Sequence, residues 1–161
     1  MTTFEQAPVR QLHSEAEAIA AAKEIAVEIA SIAADSRQNG QLPWRQAQLL
    51  SESGLTTIGV PKAFGGLGAS VQTLVETVRI ISVADGGVGQ LLQIHNVMLR
   101  GIFEGYPEAV RDRLIGDVLA GKRFGNALAE VGGKNKFALK TRVERRADGA
   151  LVLNGSKFYS T

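Results

Sequence analysis

Few side chains in this sequence could carry chemistry. Its histidines are His13 and His95, and it has no cysteine, which excludes thiolate nucleophiles, disulfides and thiolate metal sites. Two histidines give no basis for a histidine-built zinc or iron centre, so no metal is expected. His95 stands four residues from both Leu91 and Leu99, on the apolar side of a helical repeat. A lone histidine there is either a hydrogen-bonded core residue or an acid/base group, and taken alone the core reading is favoured. Ser160 and Thr161, taken alone, are ordinary strand hydroxyls. Gly65-Gly66-Leu67-Gly68 lacks G-x-G-x-x-G spacing and follows no parallel strand, so it is better explained by backbone freedom in a loop. Gly86-Gly87-Val88-Gly89 precedes a helix start where an anion could sit, but no basic side chain adjoins it, and a helix connection is favoured.

The totals narrow the partners. A net charge of +2 across 161 residues, with 45% hydrophobic and 21% charged residues, is ordinary for a globular chain. The densest basic stretch holds Lys134, Lys136, Lys140, Arg142, Arg145 and Arg146, with Glu144 among them. No aromatic residues interleave with it, so it reads as a solvated strand face and no nucleic acid is expected. Met1–Arg10 has no apolar signal core, and no apolar run approaches the ~20 residues that cross a bilayer. The expectation is a cytoplasmic protein without a membrane partner.

These residues must be positioned by helices, then strands. His13–Ser36 has Ile19, Ala22, Ala26, Ile29 and Ala33 at helical spacing, and Asn39-Gly40 ends it. Pro43 starts a second helix through Ser51, closed by Gly54. Ser70 caps a third, with a stripe of Val71, Leu74, Val75, Val78 and Ile81 ending near Asp85-Gly86-Gly87. The fourth runs from about Val88 to Glu104 with Leu91, Leu92, His95, Leu99 and Ile102 on one side. Pro107 opens a fifth that turns Val110, Leu114, Val118 and Leu119 inward, and Gly121 ends it. The period then changes. Phe137, Leu139, Thr141 and Val143 alternate with charged residues, and Asp148-Gly149 and Asn154-Gly155 mark turns. The fold class expected is a mainly α domain over residues 1–123 followed by the start of an antiparallel β domain over residues 124–161. A sheet opened at Phe124 and cut at Thr161 has an unpaired edge, so a truncated β domain is expected.

Two segments of that β region, Phe124-Gly125-Asn126-Ala127-Leu128-Ala129-Glu130 and Leu151-Val152-Leu153-Asn154-Gly155-Ser156-Lys157-Phe158-Tyr159-Ser160-Thr161, resemble paired strands of the acyl-CoA dehydrogenase superfamily. Members carry a small-residue strand ending in Glu and a later Asn-Gly-x-Lys-x-aromatic-x-Thr strand. Gly59-Val60-Pro61-Lys62-Ala63-Phe64-Gly65-Gly66 looks like the family's loop after its second helix, and Leu114–Gly121 like its last N-terminal helix. The resemblance is closest to the flavin-dependent monooxygenase branch, which includes dibenzothiophene monooxygenase-like proteins and sulfur-acquisition oxidoreductases. True dehydrogenases usually show Glu-Pro-Gly-x-Gly-Ser-Asp where this chain has Glu130-Val131-Gly132-Gly133-Lys134-Asn135-Lys136, which puts the usual CoA and FAD contacts in doubt.

The resemblance implies a flavin ring against the β region, with reduced FMN favoured and FAD the alternative. Backbone groups of Asn126, Ala127, Leu128 and Ala129 would meet its polar edge, with Tyr159 and Thr161 flanking it. His95 would be a proton donor or acid/base group, worth about 10²–10⁴ in rate, and Ser160 and Asn126 would hold the reactive side. It further implies oxygen and a small organosulfur compound as substrates, a separate flavin reductase, and a dimer or tetramer at full length. The resemblance also implies that residues beyond Thr161 complete the site and that this stretch alone is inactive. Two other readings stand beside this one: an acyl-CoA dehydrogenase oxidising an acyl thioester, and a non-catalytic helical module.

Overall fold

A computed structural model of the chain describes residues 8–131, 138–158 and 160, and divides into two compact units, Met1–Phe124 and Gly125–Thr161.

In the first unit, α1 spans Glu15–Gln38. Ser14 starts it by accepting the Glu17 N–H at 3.2 Å, and the Glu17 carboxylate accepts the His13 N–H at 2.9 Å. Donors left over at a helix start are thereby satisfied, and the acidic first turn suits the helix dipole. Its buried face is Ala18, Ala21, Ala22, Ile25, Ile29 and Ala33, while Ile19 and Ala26 pack at the edge of that face. The small side chains let α1 lie close against α3, Val71–Ala84. Between them come α2, Trp44–Glu52, and a 3-10 turn at Lys62–Phe64. Gly65 closes that turn at φ 88°, and a side chain on Gly66 would collide with the Val60 carbonyl. The first glycine cluster is therefore structural.

Ser70 caps α3, accepting the Thr73 N–H at 3.3 Å. Of the apolar stripe predicted for α3, Ile81 is buried and Leu74 and Val78 pack against the core, but Val71 is 61% and Val75 62% exposed, and Thr73, Thr77 and Ile80 complete the buried face. Hydropathy fails here because the threonine hydroxyls are satisfied in place. Thr73 Oγ1 donates to Glu15 at 2.7 Å and Thr77 Oγ1 to the Leu74 carbonyl at 2.8 Å, so burying them leaves no orphan group.

The next helix, α4, spans Gly86–Gly105 and starts earlier than its apolar pattern suggests. Asp85 is the cap, accepting the Gly87 and Val88 N–H groups at 2.8 and 3.2 Å. It buries Val88, Gly89, Leu92, His95, Leu99 and Ile102. The last helix, α5, covers Glu108–Leu119 and buries Ile115 and Val118, with Leu114 and Leu119 packed beside them and Val110 only half-buried.

Two apolar clusters result. One joins α1, α2 and α3 to Val88 and Leu92 of α4; the other gathers Val60, Leu99, Ile102, Ile115 and Val118 with Phe64, Phe103 and Phe124. Helix α4 runs through both, and His95 stands between Leu92 of the first and Leu99 of the second.

In the second unit β1, Arg142–Arg145, pairs antiparallel with β2, Leu151–Asn154, in the register Val143 opposite Leu153 and Glu144 opposite Val152. The turn forms at Asp148-Gly149: Asp148 Oδ1 accepts the Ala150 N–H at 3.0 Å, and Gly149 stands at φ 85°. The strand predicted over Phe124–Glu130 is not regular. Its only ladder contact among the described residues is an isolated bridge between Ala129 and Phe158. The stretch is held by Lys157 on the Leu128 carbonyl and by the Phe158 N–H on the Ala129 carbonyl, and Gly125 and the alanines offer little to pack. Regular pairing begins at Arg142; Phe137 lies outside the described residues.

Candidate functional site

His95 is fully buried, and main-chain groups engage both of its ring nitrogens. Nδ1 lies 3.1 Å from the Phe124 N–H and Nε2 lies 2.8 Å from the Thr56 carbonyl oxygen. An amide N–H can only donate and a carbonyl can only accept. Nδ1 is therefore bare, and the proton sits on Nε2, donated to Thr56. Burial pushes the imidazole pKa down from 6.5; the Thr56 bond opposes that shift and the Arg123 charge adds to it. The ring is thus neutral, in one tautomer, and stacked on Phe124 with centroids 5.7 Å apart and planes 15° apart. Arg123, just before it, donates to the Ser51 hydroxyl. Together these contacts fix the end of the first unit at Phe124.

Beside His95, Asn96 has both amide atoms buried, with no hydrogen-bond partner for either among the described residues. It lines a hollow of about 320 Å³ with Gly59, Leu74, Leu99 and Phe103. Nothing in the sequence pattern singles out Asn96, because hydrophobic spacing says nothing about which polar neighbour is covered.

The second unit is organised by a charged pair that the motifs contain but spacing alone does not connect. The Glu130 side chain, 6% exposed, accepts the Lys140 N–H at 2.5 Å and the Thr141 N–H at 3.0 Å, and meets the Lys157 ammonium at 2.7 Å. The Lys157 and Thr141 contacts, with the Lys140 amide, hold its carboxyl down to about 2. Lys157 also donates to the Leu128 carbonyl at 3.2 Å, and the Phe158 N–H donates to the Ala129 carbonyl at 2.9 Å. Two successive carbonyls are thereby taken up inside the unit. The main-chain N–H groups of Asn126, Ala127 and Leu128 have no partner among the described residues. Asn126 is half-buried, while Ala127, Leu128 and Ala129 are exposed. The Gly125, Asn126 and Ala127 carbonyls are likewise without a partner among the described residues, so the segment offers both donors and acceptors of the main chain.

Of the residues expected at the site, Asn126, Ala127 and Leu128 have main-chain N–H groups without a partner among the described residues, and Ala129 is bridged to Phe158. Ser160 is exposed. Tyr159 and Thr161 lie outside the described residues. Among the described residues no helix is long and apolar enough to cross a membrane.

Residues 13–122 match the profile of the family described as acyl-CoA dehydrogenase, N-terminal domain. The chain is 30% identical over 144 residues to a dibenzothiophene monooxygenase of Rhodococcus erythropolis, covering 88% of this chain and 34% of that protein. It is 28% identical over 145 residues to a 3-sulfinopropanoyl-CoA desulfinase of Variovorax paradoxus, covering 88% of this chain and 36% of that one. The FMN-bound crystal structure of TdsC from Paenibacillus sp. A11-2 superposes with a TM-score of 0.79 at 24% identity, over 89% of this chain and 36% of that chain. That superposition shows the shared fold. The chain thus spans about a third of the length of these relatives.

Proposed function

This chain belongs to the acyl-CoA dehydrogenase N-terminal domain family, and from that we propose that it supplies part of the flavin site of a reduced-flavin monooxygenase acting on a small organosulfur or similar compound. The likeness to a dibenzothiophene monooxygenase favours this branch, with reduced FMN as the cofactor, FAD as the alternative, oxygen as co-substrate and a separate reductase as the source of reduced flavin. The observation that carries the reading is the run of main-chain N–H groups at Asn126, Ala127 and Leu128 that have no partner among the described residues.

When bound, the flavin would supply the redox chemistry and the activation of oxygen. What this chain contributes is binding and order. The N–H row and the Asn126 amide are donors for the carbonyl-rich edge of the ring, and fixed donors in a site closed to water favour charge that develops there. Ser160, Tyr159 and Thr161 are assigned to the same ring. His95 is assigned a positioning role: with both nitrogens on the main chain, it holds Phe124, the last residue of the first unit. It becomes a proton donor only when one of those bonds opens.

The test is an anaerobic titration of the ¹⁵N-labelled chain with reduced FMN. Shifts concentrated in the amides of Asn126–Ala129 are expected. No response there, or changes confined to the helices, overturns the assignment.

A further inference from the structure

The hollow of about 320 Å³ beside α4 is built from three pieces of the first unit: Gly59 and Pro61 of the loop after α2, Leu74 of α3, and Asn96, Leu99 and Phe103 of α4. Its apolar walls are set in advance. Leu99 is buried, and Phe103 rests on Phe64 with ring centroids 5.6 Å apart. At the rim Arg100 and Glu104 pair with each other at 3.0 Å, so the two rim charges offset one another. Gly59 opens the floor. It is not at a positive φ, so the position uses the missing side chain and not backbone freedom. A Cβ there would stand 3.2 Å from Leu99 Cδ2, 3.7 Å from Asn96 Oδ1 and 3.8 Å from Leu74 Cδ2. Three wall residues therefore converge on the space that Gly59 leaves.

The Asn96 amide is the polar group of this hollow that has no use: nitrogen and oxygen are both covered and unmatched among the described residues. Covered polar groups are ordinarily bonded, and an unmatched one is costly. Turning this amide into the hollow breaks no bond to the described residues. A primary amide offers a donor and an acceptor side by side, and its complement is a flat group that does the same. With apolar walls and no net charge at the rim, a charged molecule would lose its water without gaining an opposite charge. We infer that the hollow binds a small, neutral, planar molecule carrying a lactam, its ring between Leu74, Leu99 and Phe103 and its N–H and C=O paired with the Asn96 amide. Every residue of this site lies in Met1–Phe124, so it stands whether or not the flavin reading holds.

The experiment titrates the ¹⁵N-labelled 161-residue chain with carbostyril, the lactam of the quinoline ring, and with quinoline itself, which keeps a ring acceptor and has no donor. Carbostyril should bind saturably and move the Asn96 side-chain N–H resonances together with the Gly59 amide. Quinoline should bind at least about tenfold more weakly, the loss expected when a hydrogen-bonded pair is broken. Asn96→Leu should lose at least about tenfold in carbostyril affinity and no longer separate the two compounds. Gly59→Ala should weaken both compounds by filling the floor. Absence of saturable carbostyril binding to the wild type overturns the inference, as does equal wild-type affinity for quinoline. An Asn96→Leu chain that binds carbostyril as tightly as the wild type overturns it too. The comparison of the two compounds uses the wild type alone, so it decides the matter even where a variant fails to fold.

Discussion

His95 and Phe124 are joined twice: Nδ1 accepts the Phe124 N–H at 3.1 Å, and the two rings stack with their planes 15° apart. The other nitrogen reaches the Thr56 carbonyl at 2.8 Å. A helix residue thereby ties the loop after α2 to the last residue of the helical unit. The tie depends on a neutral ring with its proton on Nε2, because a protonated Nδ1 would present a donor to a donor.

Replacing His95 with Phe keeps the ring and loses both bonds, leaving a buried carbonyl and an amide unmatched. The first unit should lose about 3 kcal/mol, measured by urea unfolding, from unsatisfied groups worth about 1–3 kcal/mol each. A loss below about 1 kcal/mol would mean that the main-chain bonds contribute little.

Acid should loosen the two units in separate windows. The His95 pKa is lowered by burial, so folding favours the uncharged ring and the unfolded chain binds more protons. That contribution is complete above pH 6.5 and declines as the pH falls through 6.5 toward the folded value. Glu130 is held at about 2 against 4.5 unfolded, so its contribution is complete above 4.5 and disappears between 4.5 and about 2. Amide shifts followed from pH 8 to pH 2 should report the Phe124 amide first and those of Lys140 and Thr141 last. Simultaneous loss would contradict the assignment.

Asn96→Leu should stabilise the chain, because it removes two buried amide atoms that have no partner among the described residues and adds apolar volume to the hollow beside Leu74 and Leu99. A gain of about 1 kcal/mol is expected in thermal or urea unfolding. Destabilisation would show that the amide is satisfied, for example through an ordered water.

Gly89 sits where α4 meets α3, and a Cβ there would collide with Ser82, backbone included. Gly89→Ala should cost about 1–3 kcal/mol by overpacking, although alanine is the better helix former. Gly101→Ala on the same helix, where a Cβ meets open space, should instead be neutral or stabilising. The contrast separates packing from helix propensity.

The helical part was legible wherever burial and period agree. Leu92, Leu99 and Ile102 of α4 fall on one side and are buried, and Ser70 caps α3. It was misread where polar atoms are satisfied inside. Thr73 and Thr77 look like surface residues and face the core, while Val71 and Val75 look like core and face outward. Helix α4 starts before its first apolar residue because a cap, not a hydrophobic side chain, decides where a helix begins. Glycine and alanine mimic a packed strand over Phe124–Glu130, but among the described residues only the Ala129 bridge forms. The candidate site follows the same rule. A motif marks Asn126 to Ala129, whereas the Glu130–Lys157 anchor joins residues distant in the chain and becomes visible only once the backbone has folded.

Helix α4 is 20 residues long, and Leu92 and Leu99 anchor it in different clusters. A rod shared in this way makes the two clusters melt together: neither can come apart without stripping partners from the other along about 30 Å of helix. Amides at either end of α4 should therefore exchange with solvent at one common rate, set by loss of the whole helical unit.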